Sequence, residues 1–394
     1  MSKWATTKLG DIVQSLQPGF ASRPDSEEGG LPHLRPLNMT EDGTISLEPM
    51  KLVSAESVAL WRYGVQDGDI LFNNTNSPDL VGKVAVFKHK GAYVFSNHLT
   101  RIRLDTGKLL PGFLQKYLFA LWQNGYFKQQ CTQWINQAAF NVNALSQLPI
   151  PVPPLAEQER IVRILDEAAA LRRLRTQADQ RSSDLTDALF LERFGNPADN
   201  PKGWPFARLG EVIEFFGGGT PSRENPDFFK GVIPWATSKD MKEEYIDDAE
   251  EHITESAIAH SATQVVPAGS VLVVVKSKIL MHSLPVAIAT VPICFGQDLK
   301  GLVCGNQVLP EFIAASLRTQ KAAILVQARG ANTEGLTLEM LRAVRIMLPP
   351  LSIQHDFADC VAHIRALKTA QSASRERLEN LFQSLLHRAF QGEL

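Results

Sequence analysis

The chain has 394 residues, of which 44% are hydrophobic and 21% charged, and its net charge is −2. This composition is ordinary for a soluble protein with two or more domains that each have a hydrophobic core, and it argues against a largely disordered chain. Its apolar runs are too short to span a bilayer, so we expect a cytoplasmic protein. Phosphate neutralisation needs clustered Lys and Arg, so a DNA-binding face on this chain must be a local patch.

Two similar segments, residues 4–13 and 204–213, open the two halves of the chain. Both begin with Trp and contain Leu-Gly, an acidic residue, and then Ile or Val. We interpret the chain as a tandem duplication in which each half is a globular region followed by a long helix. The predicted regions are a first globular domain at 1–150, a central helical region at 151–195, a second globular domain at 196–345 and a C-terminal helical region at 346–394.

Short β-type runs dominate both globular regions and predict a mixed α/β (α+β) fold with polar loops. Residues 69–72 and 83–87 are such runs in the first half, and residues 270–275 and 286–289 are their counterparts in the second. A polar connection separates the two runs in each half, and a short helical pattern follows. We expect these connections to carry functional side chains.

The helical regions each begin after a Pro-Pro pair, at 153–154 and 349–350, because proline blocks helix through itself and restricts the preceding residue. Apolar residues then recur at helical spacing and form a narrow apolar stripe along each helix. Such a stripe on so long a helix needs a partner along its length. We predict that the two helices form an antiparallel coiled coil; the alternative is two helices packed on separate domains. The predicted pairing residues are Ile161, Leu165, Ala168, Leu171, Leu185 and Leu189 in the first helix, and Phe357, Val361, Ile364, Leu367, Leu378, Leu381 and Leu385 in the second.

Catalytic motifs do not stand out in the sequence. It has no P-loop, no HExxH and no GxSxG motif, and its four cysteines lack CxxC spacing. The run Gly217–Thr220 resembles a cofactor-binding turn, but a flexible turn before Pro221 is the better interpretation. We therefore expect no metal or cofactor site and no enzymatic activity in this chain.

A magnesium nuclease is the competing enzymatic hypothesis. Asp227, Asp240 and Lys242 fit the loose PD…(D/E)xK pattern, and two carboxylates with a lysine suit a magnesium site that activates water. Such gapped patterns arise often by chance, and the first half holds nothing similar at the corresponding place. A third hypothesis is a helical adaptor with no DNA role.

Three stretches together resemble the specificity subunit of type I restriction-modification systems: residues 155–161 after Pro-Pro, the turn at 218–222 followed by 231–235, and residues 389–394. The resemblance covers essentially the whole chain. It implies two target-recognition domains that each read half of a split DNA site, with antiparallel helices setting the spacer. It also implies binding to two modification (methyltransferase) subunits and to restriction/translocase subunits, which would use S-adenosylmethionine, ATP and Mg²⁺.

A domain that reads base edges presents amide, hydroxyl and basic side chains on rigid supports, since Asn and Gln suit adenine and Arg and Lys suit guanine. The polar loops of both halves hold such residues. The candidate DNA-binding residues are Arg35, Asn38, Asn73, Asn74, Thr75, Asn76, Lys83, Asn97, His98 and Arg101 in the first half, and Thr237, Ser238, Lys239, Lys276, Ser277, Lys278, Gln297 and Lys300 in the second.

Overall fold

The computed structural model describes residues 3–22, 30–55, 58–135, 137–329 and 335–394. The chain divides into two compact units. The first unit is Met1–Thr176 with Ala373–Leu394, and the second unit is Gln177–Ser372. Each unit thus takes part of both long helical regions, and the four boundaries expected from the sequence stay predictions. Among the described residues, no helix combines the length and the apolar character that crossing a membrane requires.

The first unit mixes short strands with helices, as the sequence predicts. Its strands are β1 (Thr6–Lys8), β2 (Val13–Pro18), β3 (Leu31–Leu34), β4 (Lys51–Val53), β5 (Gly64–Val65), β6 (Ile70–Asn73), β7 (Thr75–Asn76), β8 (Val84–Val86), β9 (Tyr93–Phe95), β10 (Leu99–Leu104), β11 (Thr132–Gln133), β12 (Ala138–Ala139) and β13 (Pro149–Pro151). Its shorter helices are α1 (Leu9–Ile12), α2 (Leu60–Tyr63), α3 (Pro111–Gln123), α4 (Tyr126–Gln130) and α5 (Val142–Ser146).

Long-range pairing organises these strands into sheets. Among the described residues their orders are β1-β13, β2-β10-β6-β8, β11-β12-β7 and β4-β3-β9-β5. Strands β3 and β9 run parallel, with Leu34 opposite Phe95. Gly68 has a φ of 87° just before β6, a conformation that glycine adopts without steric cost. The β2-β10-β6-β8 sheet packs on α3, and their apolar side chains form one core.

The second unit repeats much of this order. Its strands are β14 (Phe206–Arg208), β15 (Ile213–Gly217), β16 (Ile233–Ala236), β17 (Tyr245–Ile246), β18 (His252–Ile253), β19 (Val271–Val274), β20 (Val286–Ala289), β21 (Cys294–Phe295), β22 (Leu299–Cys304) and β23 (Arg345–Met347). The described strands form sheets β14-β23, β15-β22-β19-β20-β17 and β18-β16-β21. Its shorter helices are α8 (Leu209–Val212), α9 (Glu255–Ala259), α10 (Pro310–Thr319), α11 (Lys321–Arg329) and α12 (Leu338–Ala343).

The long helices are α6 (Leu155–Ser183), α7 (Leu185–Phe194) and α13 (Leu351–Gln391). A buried glutamine ties α6 to the first unit. The Gln158 side chain accepts a hydrogen bond from Leu110 N and donates to the carbonyl oxygens of Lys108 and Pro153. These bonds satisfy backbone groups at the start of α3 and α6 that would otherwise lack partners.

Gln354 has the same role at the start of α13. Its side chain accepts a hydrogen bond from Leu309 N at 2.9 Å and donates to the carbonyl oxygens of Gln307 and Pro349. The repeated Pro-Pro-Leu-x-x-Gln sequence therefore has a structural cause, because a Gln at this position joins a long helix to a globular core in each unit.

In the first unit, two helical segments pair in opposite directions. Arg160 Nη1 donates to the carbonyl oxygen of Leu394, and Arg172 forms an ion pair with Glu379, so the partner number falls as the residue number rises. Apolar side chains of both segments enter one core, and they are Ile161, Leu165, Ala168, Phe382, Leu386, Ala389 and Phe390.

The second unit contains a comparable pairing. Ser182 Oγ donates to Gln371 Oε1 at 2.8 Å, and the rings of Phe194 and Phe357 lie 5.3 Å apart. Lys368 also binds Glu244 of the globular part at 2.7 Å. The helices are thus anchored to the core of this unit by both apolar and charged contacts.

The predicted apolar stripe was partly wrong. Burial of Ile161, Leu165, Ala168, Phe357 and Val361 agrees with it, and Leu189, Ile364, Leu378 and Leu385 are partly buried. However, Leu171, Leu185, Leu367 and Leu381 are exposed, and the expectation omitted Phe382 and Leu386. The C-terminal helix carries two neighbouring sets of apolar residues at helical spacing, which we call frames. The frame that contains Phe382 and Leu386 faces the core of the first unit.

Candidate nucleic-acid interface

Three polar segments of the first unit meet at one edge of its sheets. Because β3 and β9 are parallel, their carboxyl ends lie together, and Ser96 N donates to Leu34 O at 2.9 Å. The chain leaving β6 joins them, since Asn74 N donates to His98 O at 3.0 Å. We call residues 35–38, 74–76 and 97–98 the first loop cluster.

Hydrogen bonds inside the first loop cluster fix its side chains. Asn74 Nδ2 donates to Asn97 O at 3.2 Å, and Asn74 Oδ1 accepts from Thr100 Oγ1 at 3.3 Å. The His98 ring lies 3.3 Å from Thr75 O through Nδ1. The exposed Asn97 side chain and the partly exposed Arg35, Asn74, Thr75, Asn76 and His98 thus stand on a rigid support. Such pre-ordered donors and acceptors are what base-edge recognition needs.

Two predicted DNA-binding asparagines are instead buried in turns. Asn38 is fully buried; its Oδ1 accepts from Arg35 N, and its Nδ2 donates to the carbonyl oxygens of Ser46 and Pro49. Asn73 is 1% exposed and donates to Leu80 O at 3.0 Å. Burial leaves neither side chain a surface to present to DNA, so the structure corrects these two assignments.

Two predicted basic contacts are also buried. The Arg101 guanidinium donates to Gly64 O and packs 5.8 Å from the Phe95 ring centre, and burial lowers its pKa. Lys83 is 8% exposed and lies 5.9 Å from the Trp122 ring centre, and burial again lowers its pKa. Both side chains pack inside the first unit, which removes them from the candidate interface.

The second unit assembles a loop cluster in the same way. Parallel strands β16 and β21 end together, and Gly296 N donates to Ala236 O at 2.8 Å. Both Val275 N and Lys276 N donate to Asp298 O, at 2.8 and 3.3 Å. Residues 237–240, 276–278 and 296–298 form this second loop cluster.

The second loop cluster is richer in lysine than the first. Lys239, Lys276, Lys278 and Gln297 are exposed, while Thr237, Ser238, Ser277 and Lys300 are half-buried. Ser277 Oγ accepts a hydrogen bond from Ile279 N, which fixes the turn after β19. Lysines and an amide on one edge suit phosphate and base contacts on a nucleic acid.

Gly218 lies where two backbone segments pass close to each other. A Cβ atom at this position would lie 1.9 Å from the carbonyl oxygen of Gly296. Next to it, Gly219 N donates to Phe295 O, and Trp235 Nε1 donates to Gly219 O at 3.0 Å. The glycines permit a close backbone approach that holds this segment beside the second loop cluster.

The contacts of Asp227 and Asp240 do not support the nuclease hypothesis. Asp240 accepts hydrogen bonds from Thr237 N and Thr237 Oγ1 and from Glu250 N. Burial acts to raise the pKa of Asp240, but these bonds and the charge of Lys242 bring it below its ordinary value. Asp227 pairs with Lys230 at 2.7 Å. In the part of the chain that the structure describes, no group of three or more His, Cys, Asp or Glu is placed to hold a metal ion.

Asp240 has a counterpart in Asn38 of the first unit. Each residue follows its parallel strand by the same number of positions, and each accepts a hydrogen bond from the backbone N–H three residues before it. An amide and a carboxylate perform the same structural task. Asp240 is therefore a turn-forming residue of the second loop cluster.

Sequence reasoning missed a hairpin beside the first loop cluster. Strand β11 pairs with β12, and β12 pairs in turn with β7, so that Ala138 lies opposite Asn76 and Ala139 opposite Thr75. Trp134 and Ile135 lie at the tip and are exposed. The sequence does mark this region as unusual in charge, because residues 106–156 contain no Asp or Glu although the chain has 42 acidic residues.

Comparisons with known proteins agree on one family. The family described as "Type I restriction modification DNA specificity domain" matches residues 1–180 and 201–379. The specificity subunit of the type I restriction enzyme EcoR124I/EcoR124II of Escherichia coli is 32% identical over 231 residues, which cover 56% of this chain and 55% of that protein. The putative MjaX specificity subunit of Methanocaldococcus jannaschii is 24% identical over 99% of this chain and 93% of that protein. The alignment with the first of these relatives thus spans about half of its length.

Solved structures support the fold. A chain from a study of the complex assembly and conformational transition of the type I R-M system has a TM-score of 0.66 and 21% identity, with 99% of this chain and 98% of that chain covered. The S subunit of a type I restriction-modification system from M. genitalium has a TM-score of 0.58 and 13% identity, with 99% and 96% covered. The mixed α/β fold predicted from the sequence is confirmed at this level.

Proposed function

The chain belongs to the family of type I restriction-modification DNA specificity proteins, and on that premise we propose that it is the DNA-sequence specificity subunit of a type I restriction-modification complex. The observation that carries the proposal is the presence of one polar loop cluster in each unit, assembled by corresponding backbone hydrogen bonds. Asn74 N bonds to His98 O in one, and Val275 N bonds to Asp298 O in the other.

The proposed target is bipartite, with one half-site for each loop cluster. Two features support this division. The sheet order β2-β10-β6-β8 corresponds strand by strand to the first four strands of β15-β22-β19-β20-β17, as expected of an internal tandem repeat. The side chains differ, because the first loop cluster presents mainly amides and a histidine whereas the second presents lysines. Different donors and acceptors select different bases, so the two half-sites differ in sequence.

The proposed role is non-catalytic. Methyl transfer and DNA cleavage belong to partners: two modification subunits that use S-adenosylmethionine, and restriction/translocase subunits that use ATP and Mg²⁺. Exposed apolar side chains along the long helices support a docking role for them. These are Leu171, Leu174, Leu185, Leu191, Leu367 and Leu381.

The long helices also set the spacer between half-sites in this proposal, as an antiparallel coiled coil. The opposed pairing of helical segments within each unit supports it. Each residue inserted into a helix adds about 1.5 Å, and each base pair adds about 3.4 Å. Matched insertions of four residues near Gln177 and Gln371 therefore add roughly 6 Å, which corresponds to one or two base pairs.

A domain exchange tests the proposal. Residues 1–150 are replaced by the first domain of another family member, and the reciprocal control replaces residues 196–345. Methylation sites are then mapped in a host that carries the complete system. Each exchange is expected to change one half-site and leave the other intact, whereas the matched helix insertions change only the gap. Changes in both half-sites after a single exchange would contradict modular recognition, and an unchanged gap in a folded, active insertion variant would contradict the spacer role.

A further inference from the structure

The hairpin formed by β11 and β12 carries an apolar tip that its own unit does not cover. Ile135 is 99% exposed and Trp134 is 60% exposed. The tip is well supported, because Trp134 N donates to Gln137 O at 2.7 Å and Gln133 Nε2 donates to Lys128 O. Large apolar side chains held outward on an ordered support are typical of a contact surface.

The base of the hairpin is fixed in the core and joined to the first loop cluster. The Phe140 ring packs 5.1 Å from the Phe127 ring, and Phe140 N donates to Asn74 O at 2.9 Å. Through β12, the hairpin extends the same backbone layer that carries Thr75 and Asn76. A ligand bound by the first loop cluster therefore lies beside the hairpin.

Charge and chemistry indicate which ligand covers the tip. Residues 106–156 lack Asp and Glu, and residues 126–147 are rich in Asn and Gln. Asp79, on the loop that faces Lys128, is paired with that lysine at 2.7 Å. A segment without carboxylates of its own repels phosphates less than an acidic segment does, and indole rings stack on the bases of every nucleotide. The corresponding stretch of the second half, residues 322–336, contains Glu334 and no aromatic residue.

We propose that the tip of this hairpin is a DNA wedge, in which Trp134 and Ile135 pack against bases of the duplex beside the first half-site. The inference rests on the proposed function, since it requires that the first loop cluster bind DNA. Apolar side chains that enter a base step unstack it, and the contact does not depend on the identity of the bases. The hairpin strengthens binding and positions the first unit, while the loop cluster selects the sequence.

The test uses the full chain in complex with a co-expressed modification subunit. The variants are Trp134→Ala, Ile135→Ala, the conservative Trp134→Phe, and Thr132→Ala as a matched control in the same hairpin. DNA affinity is measured over a range of salt concentrations. Duplexes with 2-aminopurine placed at successive positions beside the first half-site report base unstacking, and the mass of the complex reports assembly.

We expect Trp134→Ala to weaken binding about tenfold, which corresponds to about 1.4 kcal/mol, and to abolish the rise in 2-aminopurine fluorescence. Trp134→Phe restores part of both, and Thr132→Ala changes neither. The salt dependence stays the same, because an apolar contact releases no counterions. Unchanged affinity and fluorescence in Trp134→Ala would overturn the wedge, as would a loss of assembly with normal DNA binding by the assembled fraction, which would mark a protein-docking surface. A wild-type complex that binds no DNA would overturn the proposed function itself.

Discussion

Two neighbouring residues of α13 offer a direct test of how the helical segments pair in the first unit. Phe382 is 2% exposed and lies in the core with Ile161 and Leu165, whereas Leu381 is 49% exposed. The Arg172 guanidinium also lies 4.3 Å from the Phe382 ring centre. The two residues are neighbours in one helix and point in different directions, so Leu381→Ala is a matched control for Phe382→Ala.

The expected effect of Phe382→Ala follows from its burial. Removing a buried Phe side chain costs about 3–5 kcal/mol. In a unit of roughly 200 residues, each kcal/mol lowers Tm by about 2–4 °C, so the first unit should unfold about 6–20 °C earlier. Leu381→Ala should change its stability by less than about 0.5 kcal/mol, because half of the side chain already contacts water.

Pulsed hydrogen exchange with mass spectrometry during a thermal scan follows the two units separately. We expect Phe382→Ala to expose peptides of α3 and α6 early while peptides of β19 and β22 keep their wild-type transition. Equal shifts in the two variants, or a larger shift in Leu381→Ala, would refute the assigned helical frame. A shift confined to the second unit would refute the assignment of α13's end to the first.

Three further predictions concern turns and buried groups. Gly218→Ala should weaken recognition of the second half-site and lower the Tm of its unit, whereas Gly217→Ala should change neither, because a Cβ atom at Gly217 would meet nothing within 4 Å. Equal effects of the two variants on half-site binding would contradict the argument from close backbone approach. Asp240→Asn should keep the turn and the methylated sequence, while Asp240→Ala should weaken second half-site binding; magnesium-dependent cleavage by the pure chain that is lost in both variants would revive a nuclease. Burial, with nearby positive charges, lowers the pKa of His33 to about 4 from its ordinary 6.5, so the unfolded chain binds the proton more readily. The first unit should keep this stability above pH 6.5 and lose it as the pH falls toward 4; His33→Leu should flatten that loss in unfolding scans, and an unaltered pH profile would count against it.

The sequence predicts those features that depend on local chemistry. The Pro-Pro pairs fix where the long helices begin, and Gln158 and Gln354 stand at the same distance after them and make the same hydrogen bonds. Gly68 stands just before β6 and Gly269 before β19, and both have positive φ, which glycine adopts without steric cost. Each of these signals is read within a few residues of the structure that it determines.

Features that depend on distant pairing were less accessible. Nothing near Asn38 or Arg101 shows that their side chains turn inward, because their partners Pro49 and Gly64 are brought close by the fold. The prediction of which α13 residues are buried was partly wrong for the same reason. Two neighbouring sets of apolar residues have the same helical spacing, and only the helical segment that packs against them determines which set is buried. Polarity therefore identified the right loops, but burial decides which side chains those loops present.

The construction of the loop clusters explains how a recognition surface can change while its fold persists. The contacts that the two clusters share join main-chain groups, such as Asn74 N to His98 O and Val275 N to Asp298 O. Main-chain bonds place few demands on the side chains at these positions, so amides occupy one cluster and lysines the other on corresponding strands. The requirement falls instead on the few side chains that hold the turns, of which Asn38 and Asp240 are a pair. Substitutions at exposed positions such as Asn97 and Gln297 should consequently alter recognition at little cost in stability, whereas substitutions at the turn-forming pair should affect both.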